Sequence, residues 1–211
     1  MDRKPIGFYN YTVVLTYIGM LSGFLGISCV MSGKVHTALI CLMFAGICDM
    51  FDGAIASTMV RTADEKCFGI QIDSLSDLIC FGVLPAVIVL KICDNNEKAF
   101  AVAGLYVLCG LIRLAYYNVD EQNRQKGTTE SREYFSGLPI TTSAIILPFI
   151  LLISDKLKFK KDLASLITIA VVAILFVTPL RIKKPKIIGK IAMALCGILE
   201  FVFLLMGLGD V

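Results

Sequence analysis

Four aspartates, Asp49, Asp52, Asp73 and Asp77, carry the most distinctive chemistry in this chain. They fall in the run D-M-F-D-G-A-I-A-S-T-M-V-R-T-A-D-E-K-C-F-G-I-Q-I-D-S-L-S-D, at the edges of two strongly apolar segments. Asp49 and Asp52 are three residues apart, and Asp73 and Asp77 four apart, so each pair shares one face of a helix. If the two helices form a hairpin, all four carboxylates converge at a membrane boundary. Carboxylates at membrane depth are costly and mark functional sites. Four together repel one another unless cations neutralise them, and an all-oxygen donor set suits Mg²⁺, Mn²⁺ or Ca²⁺. A pair of such ions held by shared carboxylates can clamp a diphosphate. A carboxylate not consumed by metal can take a proton from an attacking hydroxyl. Gly53 next to Asp52, Ala56 a turn on, and Gly69 a turn before Asp73 keep both helix faces thin where a bulky phosphorylated substrate would approach. Two other readings fit carboxylates in apolar helices: buried helix-pairing groups, and ligands for a transported cation. Transport sites usually sit at mid-bilayer, whereas these aspartates lie towards one face.

The elements that must hold these side chains are membrane helices. The chain has 211 residues, 57% of them hydrophobic, and a mean hydropathy of +0.80, too apolar for a soluble domain of this length. Its apolar residues fall in blocks of roughly 20, the length that crosses a bilayer. The expected fold is all-α: a polytopic membrane helix bundle of six core transmembrane helices plus one or two C-terminal helices, forming a single domain over residues 1–211. The expected spans are Phe8–Val30, His36–Thr58, Phe68–Ile92, Ala99–Asn118, Leu138–Ser154 and Asp162–Leu180, followed by Ile187–Leu208 as one span or a bent pair. Gly19, Gly23 and Gly26 give the first span a small-residue face for close packing. Pro85 is expected to kink the third. Met59–Cys67 and Val119–Ser136 read as polar loops, Asp155–Lys161 as a charged turn, and Gly137 with Pro139 sets the start of the fifth span. No small-residue cleavage site follows the first apolar block, which is therefore read as a retained helix.

The charges set orientation and exclude some partners. The net charge is +3, with the Lys and Arg residues in loops, which suits topology and lipid headgroups and not nucleic acid. With the N-terminus cytoplasmic, the loops around Arg61, Arg124 and Arg181 are cytoplasmic and those around Lys34, Lys91 and Lys158 lie outside. The basic Lys156–Lys161 turn runs against this assignment, but three inner loops and the N-terminus favour it. All four aspartates then lie at similar depth near the cytoplasmic face of the cell membrane. The eight cysteines include no C-x-x-C pair and the single histidine, His36, offers no cluster, so the cysteines read as small packing residues. Arg113, just inside the cytoplasmic boundary, is either a snorkelling or charge-pairing residue or a contact for an anion. Arg181 and Lys183–Lys186 are positive-inside residues or a phosphate-binding patch.

With these residues in view, the motif resembles the signature of the CDP-alcohol phosphatidyltransferase family, D-x2-D-G-x2-A-R-x8-G-x3-D-x3-D, carried here by Asp49, Asp52-Gly53, Ala56, Gly69, Asp73 and Asp77. Two departures stand out: Ser57 occupies the place of the family arginine, and the stretch from there to Gly69 is about three residues longer. Arg61 in that longer stretch is the candidate replacement for the missing charge. Within the family the chain is most similar to the small, polytopic phosphatidylserine synthase branch. That similarity rests on I-D-S-L-S-D-L-I-C-F-G-V-L-P-A (72–86), R-L-A-Y-Y-N-V (113–119), Y-F-S-G-L-P-I (134–140) and T-Y-I-G-M-L-S-G (16–23). The resemblance implies transfer of a phosphatidyl group from CDP-diacylglycerol to L-serine with release of CMP. It also implies a requirement for two Mg²⁺ or Mn²⁺ ions, a membrane-lipid setting and a homodimer. Carried over position by position, Asp49, Asp52, Asp73 and Asp77 ligate metal and Asp77 is also the general base. Asp49, Asp52, Gly53, Ala56 and Gly69 shape the nucleotide site, and Arg61, Arg113 and Arg181 are candidate phosphate or substrate contacts. The same chemistry with glycerol 3-phosphate or an inositol phosphate as acceptor stays open, as does a divalent-cation transporter.

Overall fold

The structure is a computed structural model that describes residues 6–127, 134–183, 197–204 and 206. A short 3₁₀ turn, Tyr11–Val13, leads into α1 (Val14–Met31), which is followed by α2 (Val35–Ala56). The next rod is continuous: α3 (Ala63–Asp77), a π-helical segment (Leu78–Val83) and α4 (Leu84–Ile92). Then come α5 (Glu97–Gly127), strand β1 (Tyr134–Ser136), a 3₁₀ turn (Ile140–Thr142), α6 (Ser143–Lys156), α7 (Lys161–Val177) and strand β2 (Arg181–Lys183). Four stretches are long and apolar enough to cross a membrane: Tyr11–Met31, Val35–Ala56, Ala63–Ile92 and Glu97–Asn123. The shorter α6 and α7 pack on α2, α4 and α5, so six helical rods form the bundle among the described residues. The polytopic, helical expectation holds. Most of the expected last span, 187–208, lies outside the described residues, which show helix at 197–204.

Apolar surface divides as a membrane bundle requires. Leu39, Leu42, Phe81, Leu84, Ile88, Tyr106, Leu147 and Leu151 are buried at the centre, while Leu21, Phe24, Phe100, Leu105 and Ile174 face outwards. With lipid as solvent, dispersion and close approach hold helices together more than water exclusion does. The small residues of α1 show how. A methyl group at Gly19 would meet Cys48 Cβ at 3.3 Å, one at Gly23 would meet Cys80 Sγ at 2.6 Å, and one at Gly26 would meet Leu84 Cδ2 at 2.8 Å. This stripe brings α1 against both α2 and the third rod, the two elements that carry the aspartates.

Two boundaries differ from expectation. The third rod begins at Ala63, inside the stretch read as a loop. Thr62 and Glu65 form a capping box there, the Thr62 hydroxyl accepting from the Glu65 N–H and the Glu65 carboxylate accepting from the Thr62 N–H at 2.8 Å. A polar first turn is thereby helical without any apolar periodicity to announce it. Likewise α5 continues to Gly127, nine residues past Asn118, so the expected Val119–Ser136 loop is helical in its first half. The two strands were not foreseen. They pair antiparallel with Phe135 opposite Ile182, tying the entry of α6 to the exit of α7. Gly137 follows β1 with φ of +79°, a backbone conformation that suits glycine, and Pro139 precedes the 3₁₀ turn, so α6 begins at Ser143, five residues after the expected Leu138. Residues 128–133, within that expected loop, lie outside the described residues.

Loops alternate between the two ends of the bundle. At one end the Cys93 thiol approaches the Asp162 carbonyl at 3.5 Å, and a Lys161–Asp155 ion pair of 2.9 Å closes the charged turn. At the other end Asn10 Nδ2 donates to Glu65 at 3.2 Å, Tyr11 and Thr58 share a 3.0 Å hydroxyl contact, and Ser74 donates to Asn118 at 2.9 Å. The aspartates lie at this second end.

Candidate metal and phosphate site

The helix hairpin anticipated from the spacing forms, and it brings the carboxylates together. Asp49 and Asp52 lie in the last two turns of α2, and Asp73 and Asp77 in the last two turns of α3. One oxygen each from Asp49, Asp52 and Asp73 falls within a 4.8 Å cluster. Asp52 and Asp73 are within hydrogen-bonding reach of each other, and so are Asp49 and Asp77. All four border one cleft between α1, α2 and the third rod. Its floor is apolar and small: Gly19, Ala45, Cys48, Cys80 and Phe81.

This donor set fits a hard divalent cation. It offers carboxylate oxygens from two rigid helices and no imidazole; of the two thiols that line the cleft, Cys48 and Cys80, the latter donates to the Gly19 carbonyl at 3.3 Å. A nearby hydroxyl orients one of the carboxylates, as outer contacts of metal sites do. Thr16 Oγ1 on α1 donates to Asp52 Oδ2 at 3.2 Å. Ser76 Oγ, between the two aspartates of α3, donates to the Thr16 carbonyl at 3.4 Å. Sequence reasoning did not name Thr16 as a site residue. The signal was present, because Thr16 lies on the same stripe of α1 as Gly19 and Gly23, the stripe already assigned to packing.

The remaining candidates are placed as follows. Gly53 has open space where a side chain would be, with no atom within 4 Å of the added carbon. Ala56 ends α2, and Ser57 beyond it folds its hydroxyl back to the Ala54 carbonyl at 2.6 Å. A methyl group at Gly69 would meet Arg61 Nη1 at 3.2 Å, so the guanidinium of Arg61 lies across α3 a turn before Asp73. Among the described residues, its Nε is buried without a partner. The structure thus brings Arg61 to the helix face that carries Asp73. Arg113 does not line the cleft. It is buried at 8% exposure, and a methyl group at Gly137 would lie 2.8 Å from its Nη1 and 3.1 Å from the Phe176 carbonyl. Arg181 enters β2 opposite Ser136; its side chain and Lys184–Lys186 lie outside the described residues. Beside the carboxylates, Met50, Phe51 and Leu75 are exposed and form an apolar rim.

Comparison with known proteins agrees with this geometry. A family model described as CDP-alcohol phosphatidyltransferase matches residues 9–179. The chain is 30% identical over 189 residues to archaetidylserine synthase of Methanothermobacter thermautotrophicus, a match covering 89% of this chain and 75% of that protein. It is 38% identical over 143 residues to CDP-diacylglycerol–serine O-phosphatidyltransferase of Saccharomyces cerevisiae, covering 62% and 51%. It is 30% identical over 154 residues to the enzyme of that name in Helicobacter pylori, covering 71% and 58%. The chain therefore spans little more than half the length of the latter two relatives. The family match runs from the N-terminal segment to the end of α7 and so takes in both aspartate-bearing helices, α2 and α3: the chain belongs to the CDP-alcohol phosphatidyltransferase family.

Proposed function

We propose that this chain transfers the phosphatidyl group of CDP-diacylglycerol to the hydroxyl of L-serine, forming phosphatidylserine and CMP. The observation that carries the reading is the four-carboxylate cleft, held by rigid helices and rimmed by exposed apolar side chains, in a chain of this family. The names of the similar proteins supply the acceptor, serine.

Asp49, Asp52, Asp73 and Asp77 hold two Mg²⁺ or Mn²⁺ ions in this reading. Divalent ions bound there would neutralise the diphosphate and stabilise the departing phosphate. Thr16 keeps Asp52 turned into the cleft. The open space at Gly53, with Ala56 and Gly69, admits the nucleotide close to the helix backbones. Arg61, alongside Gly69, supplies the cationic contact that the family signature puts at the position of Ser57. The acyl chains leave past Phe51 and Leu75 into lipid. Asp77 takes the proton of the serine hydroxyl as its oxygen bonds to the β-phosphorus. The bond from that phosphorus to the bridging oxygen breaks, and CMP departs with the electron pair. The same reading makes residues 1–211 one transmembrane domain that works as a homodimer in the cytoplasmic membrane, with the aspartates on the cytoplasmic side.

The test is CMP release by purified protein given Mn²⁺, CDP-diacylglycerol or its ether-linked analogue, and each candidate alcohol in turn. Release stimulated by L-serine alone, with the serine phospholipid as product, is the expected result. Release with glycerol 3-phosphate or an inositol phosphate instead would keep the aspartate chemistry and overturn the acceptor. No release with any alcohol would overturn the transferase reading in favour of cation binding alone.

A further inference from the structure

The third rod changes winding directly after Asp77. Residues Leu78–Val83 form a π-helical segment between α3 and α4, and such turns are rare and cluster at functional sites. The cause lies in Pro85, the second residue of α4. An α-helix would bond the N–H of residue 85 to the carbonyl of Phe81, but proline has no N–H and its ring crowds that carbonyl. The Phe81 carbonyl is instead taken by side chains from two other helices. Tyr106 Oη of α5 donates to it at 2.7 Å, and Ser143 Oγ, at the start of α6, lies 3.1 Å away. The single Ser143 proton is shared with the Ile140 carbonyl at 2.9 Å. Tyr106 is wholly buried, and its ring packs on Phe176 with centroids 5.4 Å apart.

This arrangement has a geometric consequence for the aspartates. α4 is fixed in the core by Leu84, Ile88 and Val89, each fully buried. α3 must turn Asp73 and Asp77 towards α2. In an uninterrupted α-helix Asp77 and Leu84, seven residues apart, would lie on nearly the same face, because each residue turns the helix by about 100°. A π-helical turn absorbs an extra residue and so offsets the two faces by roughly that one-residue angle. The angle between the core-anchored face of α4 and the carboxylate face of α3 is therefore set at the Phe81 carbonyl.

We propose that Tyr106 and Ser143 are positioning residues for Asp77: by holding the carbonyl that Pro85 leaves without an in-helix donor, they fix the π-helical turn that aims the α3 carboxylates into the cleft. Neither touches the cleft itself. They border a separate small pocket, shared with Thr168. Thr168 makes a fit control, because among the described residues its hydroxyl bonds only the Ala164 carbonyl of its own helix, at 2.8 Å.

The inference rests on the metal-site reading given under Proposed function, and the experiment separates the two. Mn²⁺ binding to the purified full chain would be measured by titration calorimetry without substrate, with backbone hydrogen exchange over 77–84 followed in parallel. The proteins would be wild type, Tyr106→Phe, Ser143→Ala, the double variant and Thr168→Val. The double variant should bind Mn²⁺ at least tenfold more weakly and exchange faster at 78–84, with each single variant in between. Thr168→Val should match wild type in both. In turnover the loss should be partly recovered at high Mn²⁺, which a generally destabilised protein would not show. A double variant with wild-type Mn²⁺ affinity would overturn this inference alone, as would an equal loss in Thr168→Val. If the double variant does not fold, the single variants decide by the same criterion. A wild type that binds no Mn²⁺ would overturn the metal reading, and this inference with it.

Discussion

At the scale of single residues, the site divides into groups whose partners the spacing reveals and groups whose partners only the fold supplies. The four aspartates belong to the first kind, because intervals of three and four are enough to put each pair on one helix face. Asp77 stands at the junction of α3 with the π-helical turn, within reach of Asp49. Asp77→Asn keeps the size and an oxygen donor but cannot take a proton. Turnover should drop by about 10²–10⁴-fold, the usual contribution of a general base, while CDP-diacylglycerol still binds. Near-wild-type turnover in a steady-state CMP assay would remove Asp77 from that role. Thr16 belongs to the second kind. Its partner, Asp52, is 36 residues away on another helix, and no periodicity predicts a lone hydroxyl's bond. A hydrogen bond to a charged group contributes about 1.5–3 kcal/mol, so Thr16→Val should cost roughly tenfold in turnover or more. Thr16→Ser, which retains the hydroxyl, should recover most of it. Equal activity of the Val and Ser variants would show that the bond to Asp52 does nothing.

At the scale of elements, helices were legible wherever apolar length or small-residue spacing announced them. They were missed where polar chemistry did the work. The capping box of Thr62 and Glu65 extends α3 into a stretch whose charges read as loop. The π-helical segment was legible only as a proline, since its form depends on donors from Tyr106 and Ser143, both remote in sequence. The α1 stripe is the opposite case, read from Gly19, Gly23 and Gly26 and then found buried. Its consequence is quantitative. At Gly23 even a methyl group would sit 2.6 Å from Cys80 Sγ and 3.3 Å from Cys80 Cα, so backbone as well as side chain must yield. Gly23→Val should destabilise by about 1–3 kcal/mol, the usual cost of overpacking. It should also widen the cleft, since Cys80 lines it. Gly104→Val, at a position with open space, is the comparison. A thermal melt in detergent with the two variants indistinguishable would show that α1 does not depend on close approach.

At the scale of the whole molecule, the bundle places carboxylates, lipid-facing rim and N-terminal segment at one end, and the turns at Cys93 and Asp162 at the other. The positive-inside reading assigns the first end to the cytoplasm, where a soluble serine and a released CMP would meet the membrane. A single cysteine makes this assignment measurable. Among the described cysteines, Cys67 is the exposed one; Cys41, Cys48, Cys80 and Cys93 are buried, and Cys29 and Cys109 half-buried. Cys67 lies in the second turn of α3, between the capping box and Gly69, at the aspartate end. A variant with Cys67 as its only cysteine should be inert to a membrane-impermeant maleimide in intact cells. It should react fully once the cytoplasmic face is opened. A second variant, with Cys67 also removed and Asn95 of the opposite turn changed to cysteine, should show the reverse. Cys67 labelling in intact cells would turn the bundle over and put the carboxylate cleft on the outer face. A cytoplasmic supply of nucleotide-activated lipid could not then reach it, and the proposed reaction would fail on topology although every side chain is in place.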